Sequence, residues 1–131
     1  NNLNTMNVAN DVNKSDANVV KVKSQKLKTF MSDNSLKQID FIKIDIEGSE
    51  LKLLNCLQSN YFKVIQIELI NYNNIKNNIE FIIALSEFFN FFDAKTYKNL
   101  DLEQTKDLIT YSLRKQPTID IFLVNKNFKF K

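Results

Sequence analysis

Histidine is missing from this 131-residue sequence, and glycine, proline and cysteine occur once each. Without histidine, imidazole acid–base catalysis and His-ligated metal sites are excluded. With Gly48 as the only glycine, the chain holds no Gly-rich phosphate or dinucleotide loop. The single Cys56 excludes an internal disulfide. It fits a reducing, cytoplasmic compartment and reads as a small apolar residue of a helix. No apolar run approaches the roughly 20 residues of a membrane span, and no basic stretch followed by an apolar run marks a secretory signal. An excess of one charge is lacking too. The net +3 is spread along the chain, so no nucleic-acid partner is expected.

What remains is an ordinary globular composition, 44% hydrophobic and 25% charged. The length suits one small core. Residues 1–18, rich in Asn, Asp, Ser and Thr without periodicity, read as a loop or mobile N-terminal arm. The start at Asn1 rather than Met suggests a fragment or a processed product.

The chain is organised around residues 39–51, which read as a buried strand, a turn and a helix start. Ile42, Ile44 and Ile46 alternate with Phe41, Lys43, Asp45 and Glu47, so a polar row runs along one face. Gly48 follows directly, where a turn requires φ > 0 or close backbone approach. Ser49 or Gly48 then caps a helix near residues 50–58, with Glu50 in its first turn and Leu53, Leu54 and Leu57 on its apolar face. A second strand, residues 64–69, repeats the asymmetry: Ile65, Ile67 and Leu69 on one side, Val64, Gln66 and Glu68 on the other. Strand, helix and strand joined by a crossover of this length imply parallel, adjacent strands. Asp45 and Glu68 then share the carboxyl edge of the sheet, where open α/β sheets bind ligands.

Lys43-Ile44-Asp45-Ile46-Glu47-Gly48-Ser49-Glu50, followed by Leu53-Leu54 and a strand ending in Glu68, resembles the signature of the FkbM-type S-adenosylmethionine-dependent methyltransferases. The similarity extends more weakly over about residues 19–125. It implies an α/β fold, the C-terminal half of a class I methyltransferase Rossmann-like domain, with parallel strands and a late antiparallel strand. Residues 19–131 would then be a partial domain lacking the N-terminal half that carries the glycine loop and the ribose-binding acid. The lone glycine, already used at 48, agrees with that gap. Where the family usually has a Leu-Asp pair, Lys28 follows Leu27.

Further along, Val19 to Val22 read as a short strand, and Leu27 to Met31 lead to a turn or helix start around residues 32–35. Asn71 to Asn78 read as a loop. Phe81, Ile82, Leu85, Phe88, Phe89 and Phe92 form a helical stripe that predicts a helix over 79–92, packed on the sheet rather than lining a ligand groove. A short strand is expected at 93–97 and a helix at 101–113. After Pro117 a late strand follows at 118–124, and the tail from Phe128 is suited to extend a sheet edge.

The candidate catalytic residues are Asp45, Glu47 and Glu68, and the candidate cofactor-binding residues are Asp45 and Gly48. Carboxylates there can orient the methionine part of S-adenosylmethionine, position an acceptor hydroxyl, act as general base, or hold Mg²⁺. The alternative pairs Asp45 with Lys43, leaves Glu68 solvated and gives Glu50 only to the helix N-terminus. Methyl transfer needs alignment of donor and acceptor and no protein nucleophile, so the lack of histidine is no objection. The resemblance implies O-methylation of a sugar, glycan or natural-product hydroxyl, hence a small-molecule or glycan acceptor as partner. Two rival readings stand beside it: a non-catalytic half-domain serving interaction or structure, and an unrelated nuclease with an acidic metal site. The isolated chain is expected to self-associate.

Overall fold

A computed structural model describes residues 21–58 and 61–128. The expected arm at 1–18, the first two residues of the expected strand at Val19, and the tail beyond Phe128 lie outside them. The chain divides into two units, residues 1–37 and 38–131. In the first, Lys21 and Val22 belong to no strand, and helix α1 spans Leu27–Asp33, where a turn or helix start was expected. Gln25 closes on Asp33 through a 2.6 Å hydrogen bond, and the Asn34 amide donates to the Phe30 carbonyl at 2.8 Å.

The second unit is α/β. Strand β1 (Ile39–Ile44) leads through a 3-10 turn (Glu50–Leu53) and short helix α2 (Leu54–Leu57) to β2 (Phe62–Ile70). Helix α3 (Ile75–Leu85), strands β3 (Phe89–Asp93) and β4 (Asn99–Leu100), helix α4 (Leu102–Lys115) and β5 (Thr118–Asn125) complete it. The five strands form one mixed sheet in the order β1-β2-β5-β3-β4. β1 and β2 run parallel, as the crossover length requires, with Ile44 opposite Ile67. β5 inserts between β2 and β3, antiparallel to both.

Alternation decides what the sheet buries. Ile65, Ile67 and Leu69 of β2 and Ile119, Ile121 and Leu123 of β5 are all buried, as are Phe89 and Phe91 of β3. They meet Phe81, Ile82 and Leu85 of α3 and Ile109 and Leu113 of α4, which are buried as well. The other face, with Gln66, Glu68, Asp120 and Phe122, is half-buried. Phe122 is flanked there by Phe41 (6.5 Å between ring centroids) and by Tyr97, stacked on it at 5.9 Å.

Several boundaries differ from expectation. α3 begins at Ile75, inside the stretch read as a loop, because Asn74 accepts from the Lys76 N–H as N-cap and Asn78 ties back to Asn74. It ends at Leu85, so Phe88 lies in the following turn, and Phe89 and Phe92 belong to β3 rather than to a helix over 79–92. The strand expected at 93–97 is instead the hairpin turn joining β3 to β4, closed by Asp93, which accepts from the Lys95 N–H and the Thr96 hydroxyl. These bonds hold the Asp93 carboxyl below its ordinary pKa. α4 carries a full capping box, Asp101 with Gln104, and covers the helix expected at 101–113. β2 is longer than expected at both ends, and Phe128 is not in a strand.

Candidate functional site

β1 ends at Ile44, so Asp45, Ile46 and Glu47 are turn residues rather than the end of a strand. Glu47 (φ 53°) and Gly48 (φ 95°) both sit in the left-handed region. A Cβ added at Gly48 would meet nothing closer than 3.7 Å, so backbone conformation, not space, is what requires glycine there. Ser49 makes no side-chain cap. Glu50, only 1% exposed, does more than serve the helix N-terminus: its Oε1 accepts from the Ile46 N–H at 3.0 Å and the Gly48 N–H at 3.2 Å. It folds the turn that presents Asp45 and Glu47.

Asp45 follows Ile44, the partner of Ile67, and Glu68 follows Ile67, so the two carboxylates lie at the same edge of neighbouring parallel strands. Asp45 is also paired with Lys43 at 3.0 Å, and this neighbour raises the lysine's pKa. Both groups are exposed, so the pair adds little to stability. On the other side of Glu68 stands Asp120, directly opposite it across β2 and β5. Like charges directly opposed weaken a sheet, and one Asp120 oxygen (Oδ1) is buried without a partner among the described residues. Loss of solvation pushes the Glu68 carboxyl above its ordinary pKa, and the charges of Asp45, Asp120 and Glu47 push the same way against a hydrogen bond from Thr118. A carboxylate whose pKa is raised by lost solvation and like-charged neighbours makes this edge a candidate functional site.

Replacing Glu68 by Gln therefore raises stability at neutral pH. A carboxyl with a raised folded pKa binds more protons folded than unfolded, so its presence lowers stability as pH climbs from the ordinary value of 4.5 through the folded one. Urea unfolding midpoints should show Glu68→Gln ahead of the natural chain at pH 7, with the gap closing as the pH falls below 4.5. A variant less stable at pH 7 would mean that Glu68 is net stabilised where it stands.

The structure thus brings Asp45, Glu47 and Glu68 to one edge, around Gly48. It adds Asp120 and Glu50, which the strand pattern alone did not single out. An acid two residues past the only glycine, where free backbone N–H groups crowd, was the available signal for Glu50. Beside Asp120 opens a cavity of about 540 Å³, lined by Gln66, Thr118 and Asp120 of the sheet, Asp93 and Lys95 of the hairpin, and Tyr111 of α4, with Glu68 outside its lining. Among the described residues no group of three or more Asp, Glu or Cys side chains is placed to hold a metal ion, so the Mg²⁺ expectation has no support. Burial raises the Cys56 thiol's pKa, which makes it a poor nucleophile. No helix among the described residues is long and apolar enough to cross a membrane.

Set against known families, the sequence matches the methyltransferase FkbM domain over residues 2–123, nearly the whole chain. No curated protein and no solved structure matches it.

Proposed function

The chain belongs to the methyltransferase FkbM domain family, and on that premise we propose that it forms the C-terminal half of a class I, Rossmann-like S-adenosylmethionine-dependent methyltransferase domain. The reaction we assign is O-methylation of a sugar, glycan or natural-product hydroxyl, in the cytoplasm. The observation that carries this reading is the placement of Asp45 and Glu68 at one carboxyl edge of two parallel strands, with the Glu47–Gly48 turn between them. The late antiparallel strand β5 supports the fold assignment.

The cofactor brings an electrophilic methyl group on a sulfonium, and its methionine end carries an ammonium. The residues present suit that end: Asp45, Glu47, Glu68 and Asp120 make an acidic rim in which Lys43 is the cation facing them. A bound positive charge would relieve the repulsion that lifts the Glu68 pKa. Asp45 and the backbone at Gly48 would orient the methionine part. Glu68, whose raised pKa brings it closer to a proton acceptor's working range, would take the proton of the acceptor hydroxyl. The cavity beside Asp120, which stands opposite Glu68 across β2 and β5, would seat the acceptor. The glycine loop and ribose acid of the family have no counterpart here, which keeps a non-catalytic half-domain as the second reading.

Isothermal titration separates the two. This chain alone should show no specific S-adenosylmethionine binding, while a chain extended by an N-terminal glycine-loop half should bind saturably and lose binding with Asp45→Asn. Low-micromolar binding by the chain alone would overturn the half-domain assignment. Absence of binding by the extended chain would overturn the methyltransferase assignment.

A further inference from the structure

The cavity beside Asp120 holds about 540 Å³, within the roughly 300–1,000 Å³ usual for small-molecule sites. Its lining mixes two kinds of surface. Gln66, Gln116, Ser112 and Thr118 offer amide and hydroxyl groups, which both give and accept hydrogen bonds, while Leu108 and Pro117 offer apolar area. A ring carrying several hydroxyls needs both, the first for its hydroxyls and the second for its C–H faces. The charges on the lining are not balanced. Asp93 is served by the Thr96 hydroxyl at 2.7 Å, the Lys95 N–H at 2.9 Å and the charge of Lys95. That leaves Asp120, which no ion pair reaches among the described residues and which stands opposite Glu68. Lys43, on the same face of the sheet, is bonded to Asp45 instead, at 3.0 Å. Water can hydrate the Asp120 carboxylate but brings no charge to offset that of Glu68. Thr118 ties the cavity to the acidic rim, since it lines the one and its side chain hydrogen-bonds Glu68 in the other.

We propose that this cavity takes an amine-bearing, polyhydroxylated acceptor of the amino-sugar class, whose ammonium meets Asp120, and that Asp120 thereby sets the charge selection of the site. An ammonium there faces the lining carboxylate that lacks a cation, across the strands from Glu68. A neutral sugar keeps the hydroxyl contacts and forgoes the charge. An acidic sugar brings a further negative charge beside Asp120 and Glu68. Only the word acceptor rests on the methyltransferase reading above; the cavity and its charges stand without it.

Glucosamine, glucose and glucuronate share one ring and differ in charge. Saturation-transfer NMR on the full chain, under mildly acidic conditions that protonate the glucosamine amine, reads their affinities. Glucosamine should bind roughly tenfold more tightly than glucose, the size of a hydrogen bond to a charged group, and glucuronate more weakly than either. Asp120→Asn should bring glucosamine and glucose within about twofold of each other. Lys95→Met, which removes a cation from the lining, should widen the gap. The two variants thus move in opposite directions, which a folding defect does not imitate. Cyclohexylamine, with ring and charge but no hydroxyls, should bind roughly fivefold more weakly than glucosamine. Equal binding of the three sugars, a preference for glucuronate, or no binding of any sugar would overturn the proposal. So would a glucosamine preference that survives Asp120→Asn or is narrowed by Lys95→Met, or cyclohexylamine binding as tightly as glucosamine. The S-adenosylmethionine titration fails separately: sugar selection without cofactor binding by the extended chain strikes the methyltransferase reading and keeps the cavity's ligand class, and the reverse strikes the ligand class alone.

Discussion

Truncating Phe91 to alanine is expected to cost about 3–5 kcal/mol of unfolding free energy, the range for removing a buried Phe from a core, and truncating Phe92 distinctly less. Phe91 is 3% exposed and on the packed face of the sheet, while Phe92 is half-buried on the opposite face. The expected order comes from strand alternation in β3. It reverses the order that a helix over 79–92 would give, because Phe92 falls on that helix's apolar stripe and Phe91 off it. Urea denaturation with an unchanged m value would measure both losses. A larger loss at Phe92 than at Phe91 would return this segment to a helix.

That segment shows why some boundaries were hidden in the sequence. Six apolar positions between Phe81 and Phe92 satisfy a helical period, yet α3 stops at Leu85. The stop is made by Ser86, whose hydroxyl and N–H both donate to the Ile83 carbonyl, at 2.7 and 3.1 Å. Chains usually punctuate such a place with glycine or proline, but this one has a single residue of each. Where they do stand, the reading was sound: Gly48 marks the turn after β1, and Pro117 precedes β5, which begins at Thr118. Asn-rich connections misled in the opposite direction. Asn is a common loop residue, yet Asn74 caps α3 and buried Asn78 anchors it.

The site was legible where it depended on local alternation and not where it depended on strand order. Asp45 and Glu68 follow from two adjacent parallel strands, a relation that the short crossover between them dictates. Asp120 belongs to the site only because β5 returns antiparallel beside β2, setting Asp120 opposite Glu68. Nothing in the spacing of Ile119, Asp120 and Ile121 names the strand they will meet. Glu50 was visible as an acid at a helix start, but its carboxylate reaches backwards to Ile46 and Gly48. That reach depends on two successive left-handed residues, and only one of them is glycine.

The other large effect concerns association. β1 is an end strand of the sheet, and among the described residues no strand pairs with its outer side. The Ile39 N–H donates inward to the Tyr61 carbonyl at 2.7 Å. By the alternation of a parallel ladder, the N–H groups of Asp40, Ile42 and Ile44 then point to the open edge. Such an edge is a template for another strand, and the exposed rings and aliphatics near it (Phe41 at 54%, Ile46 at 42%) add apolar area that water disfavours. We therefore expect this chain alone to sediment as an oligomer, through β1 edges, and an N-terminal half pairing with β1 to abolish it. Asp40→Pro removes one outward donor without touching an inward one. It also breaks the Asp40–Lys63 ion pair, but with Asp40 exposed that costs at most about 1 kcal/mol. Sedimentation velocity should show Asp40→Pro shifted towards monomer, with its far-ultraviolet spectrum unchanged. A sharply cooperative monomer in the natural chain would sink this expectation. It would also favour the stand-alone module over the half-domain, because a sheet stable with its β1 edge open needs no further strand to complete it.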